Sequence, residues 1–186
     1  MSLKEEMDDV LADGTMRRAR TSTDTALLLQ LSKHPSRFVR SAVAARKELS
    51  DERCREMALS DPSEHVRATI ISRNRLDAKA IRDVWRVHRG KSVCAIAACP
   101  STPLSILEEI VGIGEWLYTI WICWNPAVPS QLLKRIARIG EDLGGNGVEL
   151  SLRDRYMALP PDDVRRVAYK LLEKRGEAPL HVHSIQ

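Results

Sequence analysis

The feature that most constrains this chain is a nine-residue stretch that it writes twice. Phe38-Val39-Arg40-Ser41-Ala42-Val43-Ala44-Ala45-Arg46 returns twenty-seven residues later as His65-Val66-Arg67-Ala68-Thr69-Ile70-Ile71-Ser72-Arg73. Each copy follows a turn of one kind, His34-Pro35-Ser36 and then Asp61-Pro62-Ser63. The period runs on. Cys99-Pro100-Ser101-Thr102-Pro103 recurs 26 residues later as Asn125-Pro126-Ala127-Val128-Pro129. Ser50, Asp77, Pro103 and Pro129 are spaced 27, 26 and 26, and the apolar anchors Val43, Ile70, Ile96 and Ile122 take the same steps. A recurrence of this length predicts a stack of helical pairs, an all-α solenoid, rather than one globule around a pocket.

The local signals agree with helices. Val39 and Val43 lie four apart on one face, Arg37 and Arg40 three apart on another, and Val66 and Ile70 repeat the first spacing. Thr23 or Asp24 can cap a helix through Ala26, Leu27, Leu28 and Leu31, and Ser50 or Asp51 caps the next. Pro35 and Pro62 close the helices before them, whereas Pro103 and Pro129 suit a first helical turn. Gly144-Gly145-Asn146-Gly147 reads as a loop, followed by a helix over about Pro161–Lys174 that echoes the motif and caps the array. The expected layout is an acidic helix and basic junction over 1–20, a repeat array over 21–139, a glycine-rich loop with capping helices over 140–175, and a tail over 176–186. About four to five helical pairs fit this length.

Composition sharpens the picture. Aromatics make up 4% of the chain, with a single Phe, so Ala, Leu, Ile and Val must do the packing. No window of about 18 uninterrupted apolar residues occurs, which argues against a membrane span. The acidic start, Met1 to Val10, lacks the apolar stretch of a secretory signal, so a cytoplasmic setting and free thiols at Cys54, Cys94, Cys99 and Cys123 are expected. The net charge of +4 is unevenly spread: residues 17–91 hold eighteen bases and nine acids, a local +9.

The pattern Val-Arg-x-x-Val-Ala, then Asn-Pro-x-Thr-Pro, resembles the leucine-rich repeat variant, a bacterial relative of HEAT-like helical repeats. The matching residues are Val39, Arg40, Val43 and Ala44; Val66, Arg67 and Ile70; Ile96, Ala97, Pro100, Thr102 and Pro103; and Ile122, Asn125, Pro126 and Pro129. The resemblance covers about residues 25–139 and implies a right-handed superhelix. One member of that family carries an iron–sulfur cluster on N-terminal cysteines, but no cysteine precedes Cys54 here. No cofactor is expected.

Two constellations are candidate binding surfaces. Arg40 with Arg67, and Arg46 with Arg73, occupy equivalent repeat positions, and Arg37 lies beside them. In register, these guanidiniums would form a basic surface for phosphates or for an acidic partner. Alternatively, each Arg after Val caps or pairs with acids of the adjacent unit, such as Asp61 and Asp77. Trp116, Tyr118, Trp121 and Trp124 crowd the fourth unit, with Trp121 standing where the others have Ala42, Thr69 and Ala95. On an open face this cluster is an interface for a protein partner or a second copy of the chain. On a closed face it is core beneath the glycine-rich loop.

Other chemistry has little support. Cys94, Cys99 and Cys123, with His88 as a fourth ligand, match no zinc spacing. His181 and His183 alone make no site. No phosphate-binding glycine loop, Gly-x-Ser-x-Gly elbow or His-Glu-x-x-His occurs. The sequence therefore points to a non-enzymatic scaffold that binds protein. Nucleic-acid binding along 17–91 is the alternative, and a DNA-repair role by analogy with HEAT-like glycosylases is more remote.

Overall fold

A computed structural model describes residues 14–142 and 161–177 of the chain. The expected helix at 3–12, the glycine-rich loop at 144–147 and the histidines at 181 and 183 lie outside the described residues. Those residues are all-helical, with eleven helices and no strand among them. They divide into two compact units, with the boundary between Pro103 and Leu104.

In the first unit the helices are α1 (Thr15–Thr21), α2 (Thr25–Leu31), α3 (Arg37–Ala44), α4 (Asp51–Ser60), α5 (Glu64–Ser72), α6 (Ala78–Val87) and α7 (Val93–Ala98). The basic stretch Arg17 to Arg20, read as a junction, lies on α1, where Ala19 is buried. Short polar side chains start several helices by accepting the first free N–H groups. Asp24 accepts from Ala26 and Leu27, Ser36 from Phe38, Ser50 from Arg53, and Asp77 from Ala80. Pro62 follows the end of α4 directly, since its ring would clash with a continuing helix.

The apolar stripe of each helix sets its neighbours. α3 packs against α1 and α5, and α5 packs against α7, while α4 packs against α5 and α6, and α2 against α3. Odd-numbered helices thus touch in series. Val43 on α3, Ile70 on α5 and Ile96 on α7 are each wholly buried along that series. Each such side chain contributes about 1.5–3 kcal/mol on leaving water. Leu28, Met57 and Ile81 fill the other row. Trp85 is only 5% exposed, so that ring serves as core.

The second unit contains α8 (Leu104–Gly112), α9 (Trp116–Cys123), α10 (Ser130–Asp142) and α11 (Pro161–Lys174). α11 spans the residues expected of the terminal helix. It packs mainly on α10 and also on α9, and α8 packs on α9. Pro103 and Pro129 stand one residue before α8 and α10 rather than in their first turns, and the Pro129 carbonyl accepts from both Leu132 and Leu133. Ile122, the fourth anchor, is wholly buried within this unit. Arg175 ties the end of α11 back to the Val128 carbonyl at 2.8 Å and the Ser130 hydroxyl at 3.2 Å.

Candidate binding surfaces

The paired positions Arg40 and Arg67 share one job in the fold. Each guanidinium turns back on its own proline turn and donates to a carbonyl six residues upstream. Arg40 Nη1 reaches the His34 oxygen at 2.9 Å, and Arg67 Nη1 reaches the Asp61 oxygen at 2.5 Å. Arg40 also donates to the Pro35 carbonyl at 2.6 Å. A planar fork with donors on every edge can bind two partners at once. The rest of the Arg40 fork meets the Asp61 carboxylate from the next turn, Nε at 2.7 Å and Nη2 at 3.0 Å. Both partners of this ion pair are nearly out of solvent, at 11% and 4% exposure. Arg67 is more deeply placed, at 2% exposure, and its buried Nε has no partner among the described residues. These two arginines hold the turns, so neither offers its guanidinium to solvent.

The second repeat position behaves differently. Arg46 Nη2 donates to the Ser22 carbonyl at 3.0 Å, its Nη1 to the Arg20 carbonyl, and it pairs with Glu48 at 3.1 Å. One period later that role passes to Arg75, not Arg73. Arg75 donates to the Arg46 carbonyl at 2.9 Å and the Leu49 carbonyl at 2.5 Å, and pairs with Asp51 at 2.6 Å. Arg73 is exposed and makes no ion pair among the described residues. The chain takes a left-handed step at Asn74, with φ 53°, just after Arg73. Asn74 in turn accepts from the Ser101 hydroxyl at 3.0 Å. No repeat register marks Arg75 in advance: Leu49 and Leu76 are both buried one period apart, and the residue just ahead of each is Glu48 in one copy and Arg75 in the other.

Arg37 is half-buried, with its guanidinium 5.1 Å from the centroid of the Phe38 ring. It lines a groove of about 420 Å³ between the two proline turns, together with Pro35, Arg40, Pro62, Ser63 and His65. Glu64 stands at the same groove, but its Oε1 accepts the Ser92 N–H at 2.6 Å. The five arginines singled out in the sequence therefore separate. Arg40, Arg46 and Arg67 are spent inside the fold, and Arg37 and Arg73 keep a face to solvent.

The tryptophans differ in exposure, and the glycine-rich loop of the closed alternative lies outside the described residues. Trp124 is 56% exposed, and Trp116 and Trp121 are half-buried. Trp121 and Trp124 meet edge to face, with centroids 4.8 Å apart and planes at 81°. The physical reason lies in the repeat position. Ala42, Thr69 and Ala95 are themselves only half-buried, so a large ring at the matching position 121 is not forced into a tight seam. Exposed Ile113 and Leu104 add apolar surface in the same unit.

The cysteines are free, and Cys54, Cys99 and Cys123 are buried. Burial pushes every one of the four thiols up, and Cys123, where nothing opposes the loss of solvent, goes to about 12. Thiols in that state are poor nucleophiles at neutral pH. Among the described residues no three His, Cys, Asp or Glu side chains gather to hold a metal ion. His88, the suggested fourth ligand, instead contacts the Leu59 carbonyl through Nε2 at 2.8 Å. No helix of the described residues is long and apolar enough to cross a membrane. No family model matches the chain, and neither a curated protein nor a solved structure matches it.

Proposed function

We propose that the chain is a non-catalytic helical-repeat scaffold that binds protein, built as a right-handed α-solenoid of about four to five helical pairs. The serial contact of α1, α3, α5 and α7, with α4 and α6 alongside, supports the repeat architecture. The observation that carries the binding reading is the edge-to-face pair Trp121 and Trp124, with Trp124 56% exposed. Leaving that much indole in water is unfavourable, and tryptophan is the residue type most enriched at interface hot spots. The partner is another protein or a second copy of this chain, in a cytoplasmic setting.

Light scattering on the purified chain, with and without candidate partners, tests this reading. A dimer or a captured complex that Trp121→Ala or Trp124→Ala weakens supports it. A strict monomer in which both variants leave every association unchanged removes it.

Nucleic-acid binding along residues 17–91 is the second reading, favoured by the net +9 of that segment. Ion pairs cancel charge in equal numbers, so the excess survives folding. Against it stands the internal use of Arg40, Arg46, Arg67 and Arg75, which removes the continuous guanidinium track. A mobility shift that appears at low salt, falls steeply with added salt and weakens with Arg73→Glu would favour this reading over the first.

A further inference from the structure

We propose that the groove between the proline turns His34–Arg37 and Asp61–His65 docks an acidic segment of a protein partner, with Arg37 and His65 receiving its carboxylate. This deepens the protein-binding reading and rests on it, but it concerns a surface distinct from the tryptophans.

The groove owes its form to the repeat. Two turns of one sequence type, each carrying an exposed proline, lie one period apart, and the space between them measures about 420 Å³. That is within the size range of ligand sites. Its lining is fixed before any partner arrives. Arg40 is held by the Asp61 carboxylate and by the carbonyls of His34 and Pro35. Asp61 is held again by the Ser63 N–H at 2.8 Å. Preformed walls lower the entropy cost of binding.

Within these walls the charges are unequal in availability. Arg40 and Asp61 neutralise one another, and Glu64 is turned to the Ser92 N–H. Arg37 and His65 have no ion-pair partner among the described residues. Arg37 is also steadied by its position over the Phe38 ring, which keeps it half-buried rather than waving in solvent. A carboxylate arriving here finds a guanidinium fork, and the proline rings offer apolar contact to the flanking residues. The surrounding +9 segment steers an acidic partner toward it.

A peptide carboxylate fits this place better than a nucleic-acid backbone does. A phosphate chain needs a line of cations at regular intervals. Here the neighbouring arginines in the repeat, Arg46, Arg67 and Arg75, bind carbonyls and carboxylates of the fold itself. Glu64 at the rim adds a repulsive charge to any continuous polyanion. A single acidic residue between apolar ones needs no such line and meets the Glu64 charge only once.

Fluorescence anisotropy with the full chain tests the proposal. The probes are a labelled peptide with one Asp between leucines, its Asn counterpart, and a labelled single-stranded oligonucleotide. At low salt the acidic peptide binds, and the amide peptide binds roughly tenfold or more weakly, as expected when a charge-assisted bond is lost. Arg37→Glu weakens the acidic peptide by roughly tenfold or more, while Arg73→Glu, an equal charge change elsewhere on the surface, changes it by less than about threefold. Far-UV circular dichroism confirms that both variants remain folded; should Arg37→Glu misfold, Arg37→Gln and His65→Gln replace it. Equal losses in the two Glu variants, no discrimination between the peptides, or tighter binding of the oligonucleotide than of the acidic peptide would each overturn the proposal. The tryptophan variants read the other surface, so failure here leaves the general protein-binding reading to its own test.

Discussion

Replacing Asp61 by Ala strips three interactions from one nearly dry site. The carboxylate receives Arg40 Nε and Nη2 at 2.7 and 3.0 Å and the Ser63 N–H at 2.8 Å, with the pair at 11% and 4% exposure. Breaking one side of a buried pair costs about 3–5 kcal/mol because the surviving charge is left without compensation. Arg40 keeps its Nη1 bonds to the His34 and Pro35 carbonyls, so the lower end, about 3 kcal/mol, is the better figure. For a chain of this size that corresponds to a fall in Tm of about 6–12 °C. Urea and thermal unfolding followed by far-UV circular dichroism measure it. The double variant Arg40→Met/Asp61→Ala should be less unstable than the sum of the two single variants, by about 1.5 kcal/mol or more. An Asp61→Ala variant within about 0.5 kcal/mol of the parent, a spread normal for featureless surface sites, would refute the reasoning. So would a cycle that is simply additive.

Other expectations use the same logic. Arg67→Met should destabilise by about 1–3 kcal/mol, because the buried Asp61 carbonyl loses the Arg67 Nη1 donor and an apolar chain cannot replace it; urea unfolding of that variant would show it. Cys123 keeps its proton to about pH 12 in the folded chain against an ordinary value of 9.0. Above about pH 9 the unfolded chain therefore ionises while the folded chain does not, so stability falls as pH rises, by up to about 1.4 kcal/mol per pH unit. Cys123→Ala, matching Ala44 and Ala97 at the equivalent positions, should make that alkaline loss shallower in parallel unfolding curves. Thiol labelling of the native chain at pH 8 should modify half-buried Cys94 before Cys54, Cys99 or Cys123. Iodide should quench part of the tryptophan fluorescence through Trp124 and leave the contribution of Trp85 largely untouched.

The sequence shows its period plainly because burial obeys it: Val43, Ile70 and Ile96 are all wholly buried on successive odd helices. Caps were equally readable at Asp24 and Ser50, since short polar side chains there act only on neighbouring N–H groups. Interactions that depend on reach were not. Arg46 and Arg73 look equivalent, yet the left-handed step at Asn74 hands the carbonyls of the preceding loop to Arg75. A long flexible side chain can satisfy one acceptor from several positions, so its place in a repeat does not reveal its target. Residue size is equally silent at position 121. Nothing in Ala42, Thr69 and Ala95 says whether small side chains line a tight seam or a half-open face, and only coordinates distinguish the two. The groove lined by Arg37 and His65 was hidden for the same reason, being a space between turns rather than a pattern within one.

Arg46 holding the carbonyls of Arg20 and Ser22, and Arg75 holding those of Arg46 and Leu49, give the first unit a direction. Each of these two loops is closed by an arginine that lies 24–29 residues further along the chain. A released chain truncated after residue 60 would lack Arg75 and leave the Arg46 and Leu49 carbonyls to water, whereas one that keeps residue 75 retains their partner. Trimming from the carboxyl side past Arg75 should thus loosen the loop before it, whereas trimming from the amino side frees Arg46 and bares the face of α3 that α1 covers.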